Sequence, residues 1–415
     1  MNFEIPTGTL EGSVKAPPSK SITHRLLIMG ALSGKECLVH NPLLCEDTQI
    51  TIEGLRKLGF EIEIVEDSIL FKGSRKDVEK PVEIFVGNSG TSARFLTAVA
   101  ALLPVRCTIT GSPRMQQRPM LPLIDALQNM GAKIVHRSGY IPLNITGGNL
   151  AGGRIHVDST QSSQFLSAIL LIAPYLLEDS QIHFGDFVAS KPYAEMTISL
   201  MKRAGVFINK NDDHYRVTSG QIYSTGIGSV EGDFSNSANF MIGAAVTGGR
   251  VEITNLSPDS IQGDKIVFEI LSGAGARVVI QSSKIIVEGG EISAIDWDMQ
   301  HCPDLVPIVS ILALFAKGAS NLRRVANLRL KESDRLKAII ENINRMNGKA
   351  YLNRNDLIIE PQPLKNELLP THNDHRIAMS FAMAGLKVPG VVIKNTECVN
   401  KSYPGFWDDF ERLVK

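Results

Sequence analysis

The sequence predicts an α/β fold of two similar domains, each built from three copies of one unit. Three observations predict it. A glycine or asparagine turn followed by a β-branched run recurs five times. A polar loop leading into a helix of small and apolar residues recurs six times with the same period. A Gly-, Ser- and Thr-rich stretch, TSGQIYSTGIGS at 218–229, separates the third copy from the fourth. At about 100–200 residues per domain, 415 residues are too many for one domain. With 43% apolar and 21% charged residues the chain can fill substantial cores.

The first signal reads LRKLGFEIEI at 55–64, LQNMGAKIVH at 127–136, MKRAGVFINK at 201–210, LSGAGARVVI at 271–280 and NRMNGKAYL at 344–352. Its turn residues, Gly59, Gly131, Gly205, Gly275 and Asn347, are 70–74 residues apart. Glycine, and after it asparagine, suits the left-handed position that ends a helix. The run that follows predicts a strand. The second signal is a short strand, a polar loop and a helix. It reads PPSKSITHRLLIMGAL, FVGNSGTSARFLTAVAAL, VDSTQSSQFLSAILLIA, GDFSNSANFMIGAAV, DMQHCPDLVPIVSILAL and THNDHRIAMSFAMAGL. Aligned on Arg25, Arg94, Gln164, Asn239, Asp304 and Arg376, the copies lie 65–75 residues apart. Two signals sharing one period mark an internal repeat.

Net charge excludes some functions. Lys plus Arg and Asp plus Glu are both 43, which argues against a general nucleic-acid binder or a polybasic membrane-surface protein. The longest apolar stretch, Phe165–Leu177, is too short to span a bilayer. The start MNFEIPTGTL has neither a basic segment nor an apolar core, so no signal peptide is expected. Five cysteines without a CxxC read as reduced, packed thiols of a cytoplasmic protein, and no metal cluster is evident.

The recurring loops hold Ser, Thr, Asn, Asp and Gly directly before a helix, where free N–H groups and about half a positive charge attract anions. Each loop alone reads as ordinary capping. Added cations shift the balance: Lys20, Arg25, Arg94, Arg118, Lys331, Arg335, Arg376 and Lys401 lie in or beside these loops. Cations at helix starts oppose the helix dipole, which points to an anionic ligand. Guanidinium forks match carboxylate and phosphate oxygens, and lysine supplies a point charge. Asp304 in HCPDLVP, Glu332 and Asp334 in KESDR, and Asp374 in NDHR offer carboxylates beside these cations, suited to acid–base work. The GNSGT loop at 87–91 matches neither GxxxxGK[ST] nor GxGxxG, so nucleotide binding gains little support.

Together, PSKSITHR (18–25), GNSGTSAR (87–94), RPMLPLIDAL (118–127), SSQFLSA (162–168), SKPY (190–193), PDLVP (303–307), NLRLKESDRL (327–336), NDHRIAM (373–379) and NKSYPGF (400–406) resemble the EPSP synthase family. The resemblance runs from about residue 4 to the C-terminus. It implies two domains of three βαβαββ repeats each, an inside-out α/β barrel arrangement with helix N-termini facing an interdomain cleft that closes on substrates. One domain, residues 1–15 plus 229–415, is discontinuous; residues 16–228 form the other. It also implies an enzyme that transfers the enolpyruvyl group of phosphoenolpyruvate to the 5-hydroxyl of shikimate 3-phosphate.

Carried over position by position, shikimate 3-phosphate would meet Lys20, Ser21, Arg25, Ser162, Ser163, Gln164, Ser190, Tyr193, Asp304, Asn327 and Lys331. Phosphoenolpyruvate would meet Lys20, Asn88, Gly90, Thr91, Arg118, Gln164, Arg335, Arg376 and Lys401. Asp304 matches the family's proton acceptor; Glu332 or Lys20 would handle the proton at C3. The resemblance implies no metal and no organic cofactor, no nucleic-acid or membrane partner, and a monomer. Pro18, Phe95 and the Gln116–Gln117 pair depart from common family forms without removing a contact. The nearest alternative, a UDP-N-acetylglucosamine enolpyruvyl transferase, would carry a Lys-Asn start and a reactive loop cysteine. Here Ser21 follows Lys20, and Cys107 precedes a strand-like run. A non-catalytic anion-binding scaffold would need Asp304 and Glu332 to be dispensable.

Overall fold

The computed structural model describes residues 1–224, 228–282 and 284–415. They form two compact units, Met1–Pro17 with Glu231–Lys415, and Pro18–Val230. Each division falls two residues after the boundary expected from sequence. Backbone hydrogen bonds explain the offset. Ala16 N–H donates to Thr254 and Asp233 N–H to Pro17, holding 16–17 in the first unit, whereas Val230 N–H donates to His40 in the second. Residues 225–227, inside the Gly/Ser/Thr stretch, lie outside the described residues.

The helices, in chain order, are α1 (Lys20–Leu32), α2 (Glu46–Lys57), α3 (Gly90–Leu102), α4 (Leu121–Asn129), α5 (Ser163–Ile172), α6 (Lys191–Arg203), α7 (Phe234–Thr247), α8 (Val267–Gly273), α9 (Val306–Leu314), α10 (Arg335–Arg345), α11 (His375–Gly385) and α12 (Phe406–Leu413). The five expected turn residues all have positive φ, between 65° and 106°, two residues past the ends of α2, α4, α6, α8 and α10. Gly59 needs its missing side chain as well as its φ, because a Cβ there would lie 2.2 Å from the Lys76 carbonyl oxygen.

In the Pro18–Val230 unit, three sheets surround these helices. Two have the same design: Val82–Phe85 runs parallel to Arg106–Thr110, and Gly153–His156 parallel to Ser180–His183, each pair extended by two antiparallel strands. A parallel pair requires a crossover, which α3 and α5 supply. The strands alternate buried and exposed residues, as Tyr140–Thr146 does, so one face of each sheet packs inward. The helices between parallel strands are buried nearly all round: every residue of α3 except Thr91 and Leu102 is buried, and in the other unit α7 is buried likewise, all but Thr247. Small residues permit that packing. A Cβ on Gly243 would lie 2.4 Å from Leu10 Cδ1 and 2.6 Å from Met383 Sδ. Cys107 is buried in the strand Arg106–Thr110.

The Glu231–Lys415 part repeats the design with Asp296–Asp298 parallel to Ser320–Arg323. Two strands are exchanged in sequence. Glu11–Lys15, which precedes α1, pairs in parallel with Arg250–Thr254 of its own unit. Ser229, which precedes α7, bridges His40 in the Pro18–Val230 unit. The last repeat is completed by Asn2–Glu4, antiparallel to Val392–Lys394. Among the described residues no helix is long and apolar enough to cross a membrane; most of the apolar run Phe165–Leu177 is interior helix and turn.

Candidate active site

In the Pro18–Val230 unit, hydrogen bonds tie together the starts of α1, α3, α5 and α6. Lys20 is the first residue of α1, and its Nζ donates to Asp47 Oδ2 at 3.0 Å. The Asp47 carbonyl accepts Ser92 Oγ from α3 at 3.1 Å. Ser89 caps α3, accepting from the Ser92 N–H, and Ser162 caps α5, accepting from the Gln164 N–H. Ser19 places no side-chain cap on α1. Gln164 Nε2 donates to Thr91 Oγ1 at 3.0 Å, and its Oε1 accepts Arg94 Nη1 at 2.8 Å. Arg118 Nη1 donates to the Asn88 carbonyl at 2.9 Å. Both guanidinium groups converge over Gly90: a Cβ there would lie 2.3 Å from Arg94 Nη1 and 2.5 Å from Arg118 Nη2. The structure therefore gathers Asn88, Gly90, Thr91, Arg118 and Gln164 into one cluster, with Arg94 as an added member.

Arg25 and Arg94 lie deeper than expected. The helices begin at Lys20 and Gly90, which puts these arginines in the second turn, directed into the bundle. Arg25 is 2% exposed. Its Nε donates to Thr197 Oγ1, Nη1 to the Ser21 carbonyl, and Nη2 to Ser167 Oγ and the Tyr193 carbonyl. Burial lowers its pKa from the usual range to about 10, still far above neutrality. Arg25 thus supports Ser21 and Tyr193 from beneath. Ser190, before α6, takes φ +52°, which turns the chain into SKPY. Ser163 is buried on the first turn of α5.

In the other unit, Asp304 sits in the 3-10 turn Pro303–Leu305 ahead of α9. Its Oδ1 accepts Arg335 Nη1 at 2.9 Å with Lys331 Nζ at 3.6 Å, and its Oδ2 accepts Arg376 Nη2 at 2.9 Å. Arg335, 1% exposed, also donates Nη2 to Glu332 Oε2 at 2.7 Å and Nε to Asp374 Oδ2 at 2.8 Å. Asp374 caps α11, accepting from the Arg376 N–H. Ser333 Oγ donates to it as well. Asp304, Lys331, Glu332, Arg335 and Arg376 are therefore brought together, with Asp374 beneath them. KESDR is no solvated helix start, because Arg335 is interior. Lys401, buried, ends the turn Thr396–Lys401 that packs on α11. Asn327 is half-buried four residues before Lys331, its Oδ1 without a hydrogen-bond partner among the described residues.

The electrostatics differ between the clusters. Burial works against ionisation of Asp304, but Arg376, Lys331 and Arg335 outweigh it and hold the carboxyl far below the usual range. Burial likewise opposes the charge on Asp374, and Arg335 overrides it. Here three cations face three carboxylates. Around Gly90, Arg94 donates to Gln164 Oε1 and to the Pro119 carbonyl, and Arg118 to the Asn88 carbonyl. Two polar partners escaped sequence reading. Asp47 looks like an ordinary first-turn acid of α2, and nothing in its spacing announces Lys20. Asp264, buried and accepting from Ser235 Oγ, is pushed up to about 6 by burial and by neighbouring Asp304.

Fold and clusters define the class: an α/β enzyme that sets arginine and lysine at its helix starts and places carboxylates among them. A family model described as EPSP synthase (3-phosphoshikimate 1-carboxyvinyltransferase) matches residues 5–410. Relatives named 3-phosphoshikimate 1-carboxyvinyltransferase include those of Syntrophobacter fumaroxidans, 39% identical over 415 residues and 98% of both chains, and Methanoculleus marisnigri, 38% identical over 97% of this chain and 96% of that one. The solved EPSP synthase of Acinetobacter baumannii superposes with a TM-score of 0.81 at 26% identity, covering 100% of this chain and 98% of that one. The chain belongs to the EPSP synthase family.

Proposed function

We propose that the chain joins the enolpyruvyl group of phosphoenolpyruvate to the 5-hydroxyl of shikimate 3-phosphate, releasing phosphate. The observation that carries the site assignment is the meeting of Arg335, Arg376 and Lys331 on Asp304. Asp304 accepts the hydroxyl proton as the oxygen attacks C2, and C3 gains a proton from Glu332 or Lys20. The tetrahedral intermediate then loses a C3 proton and phosphate to give the enol ether. The reaction balances with the two substrates alone. On this reading the chain acts as a monomer in the cytoplasm.

Lys20, Ser21, Arg25, Ser162, Ser163, Gln164, Ser190, Tyr193, Asp304, Asn327 and Lys331 hold shikimate 3-phosphate, with Arg25 also fixing Ser21 and Tyr193. Lys20, Asn88, Gly90, Thr91, Arg118, Gln164, Arg335, Arg376 and Lys401 hold phosphoenolpyruvate. A carboxylate held as low as Asp304 is a weak base. The phosphate and carboxylate of phosphoenolpyruvate compete with it for Arg376 and Arg335. Burial, which already presses its affinity for a proton upward, then prevails and makes it a competent acceptor. The base is armed only when the electrophile is present.

The UDP-N-acetylglucosamine reading loses support from Cys107. Burial pushes this strand thiol up to about 12, unlike a reactive loop cysteine. The test is phosphate release from phosphoenolpyruvate with shikimate 3-phosphate, and in parallel with UDP-N-acetylglucosamine. Asp304→Asn should lower kcat by about 10²–10⁴-fold. A near-normal kcat would remove Asp304 from the role of base.

A further inference from the structure

On the outer face of the third sheet of the Pro18–Val230 unit, three histidines stand side by side. His156 ends Gly153–His156, His183 ends Ser180–His183, and His214 begins His214–Val217. Register places His156 opposite His183, and His183 opposite His214. The core side of these strands is filled by Ile155, Ile182 and Tyr215, so the histidines share the opposite face. The rings of His156 and His183 stack at 5.1 Å, those of His183 and His214 at 4.8 Å.

Asp213 closes the group. His183 Nδ1 lies 3.1 Å from Asp213 Oδ2, and His214 Nδ1 lies 2.8 Å from Asp213 Oδ1. One ligand atom from each of His183, Asp213 and His214 falls within 4.8 Å of the others. Among the described residues no lysine or arginine pairs with Asp213, whereas nearby Asp179 and Glu195 each have one. His183 is only 9% exposed, and among the described residues its Nε2 has no hydrogen-bond partner. The nitrogen that faces Asp213 is Nδ1, so the ring offers the site that atom.

We propose that His183, Asp213 and His214 bind a divalent transition-metal ion of the zinc class. Two imidazole nitrogens and one carboxylate oxygen are the donors such ions select; magnesium and calcium prefer oxygen alone. Three protein ligands leave a fourth position for water. With Nδ1 on the metal, His214 Nε2 carries the proton, and Asn211, 2.7 Å away, steadies the ring once its amide turns its oxygen to that N–H. The site lies outside the catalytic clusters. It clamps the end of the strand from which residues 184–189 lead to Ser190. His183 lies 30 residues from the adjacent pair Asp213 and His214, which is why no spacing motif announced them.

The test uses the untagged full-length chain stripped with a chelator and titrated with Co²⁺ and Zn²⁺. The expected result is one Co²⁺ per chain, with visible bands of nitrogen and oxygen ligation, displaced by Zn²⁺ and not by Mg²⁺. His214→Gln and Asp213→Asn, both near the surface, should each weaken binding about 10-fold or more while phosphate release without added metal stays unchanged. Absence of stoichiometric binding would overturn the proposal. So would affinity unchanged in both variants, or a thiolate-to-cobalt band showing that the cysteines hold the ion.

Discussion

Gly90→Ala adds a single methyl group where two arginines meet. The glycine is the first residue of α3 and its φ is not in the left-handed region, so the backbone accepts alanine. Helix propensity favours the change by up to about 1 kcal/mol. The new Cβ would lie 2.3 Å from Arg94 Nη1, 2.5 Å from Arg118 Nη2 and 2.7 Å from Arg118 Cζ. Reaching ordinary contact moves both guanidinium groups by roughly 1 Å, and displacements of that size cost up to about 10²-fold in rate. Folding and function are thus predicted to part company. The KM for phosphoenolpyruvate should rise about 10-fold or more, and the KM for shikimate 3-phosphate should change by less than about twofold, by phosphate-release kinetics. Thermal unfolding should be unchanged or slightly raised. A folded variant with wild-type KM for phosphoenolpyruvate would refute the idea that Arg118 grips this substrate from its position over Gly90.

Arg335→Ala should destabilise the Glu231–Lys415 unit by about 3–5 kcal/mol in urea unfolding, because it leaves buried Asp374 and half-buried Asp304 and Glu332 without their shared partner. Arg335→Lys should recover little, since an ammonium cannot span three carboxylates; a loss below about 1 kcal/mol would contradict this. Asp264, pushed up to about 6 against about 3.9 unfolded, binds its proton more tightly in the folded state. Its stabilising contribution is complete below about pH 4 and is lost as pH rises through about 6. Asp304 and Asp374, held low, contribute above about pH 4 and lose that only in stronger acid, so the two effects occupy different windows. Wild type should therefore lose stability relative to Asp264→Asn between about pH 4.5 and 7 in thermal scans. Parallel pH profiles would count against the assignment.

The repeat was legible because it rests on local chemistry. A helix end needs a left-handed residue, and Gly59, Gly131, Gly205, Gly275 and Asn347 supply it whatever surrounds them. The cations beside helix starts were legible because they oppose the dipole. Depth was not legible: Arg25 and Arg94 stand in charged loops by sequence but in the second helical turn by structure, where burial selects them as interior supports. Pairings across long separations were hidden too. Asp47 meets Lys20 across 27 residues, and Asp213 meets His183 across 30. The resemblance put residues 1–15 with 229–415, but the strand patterns of Glu11–Lys15 and of the segment at Ser229 name no partner, since pairing alone assigns them.

That exchange orders events on the ribosome. Residues 18–230 contain every strand their sheets use, so this unit can finish while the rest is being made. The leading strands cannot. Glu11–Lys15 waits for Arg250–Thr254, and Asn2–Glu4 for Val392–Lys394. At about 5–20 residues per second the first wait lasts roughly ten to fifty seconds and the second longer still. Ile5, Leu10 and Val14, all buried at the end, spend that time in water. Glu4, Glu11 and Lys15 beside them keep the idle segment soluble and discourage premature pairing. Nascent chains halted near residue 230 should therefore carry one finished unit and a loose head.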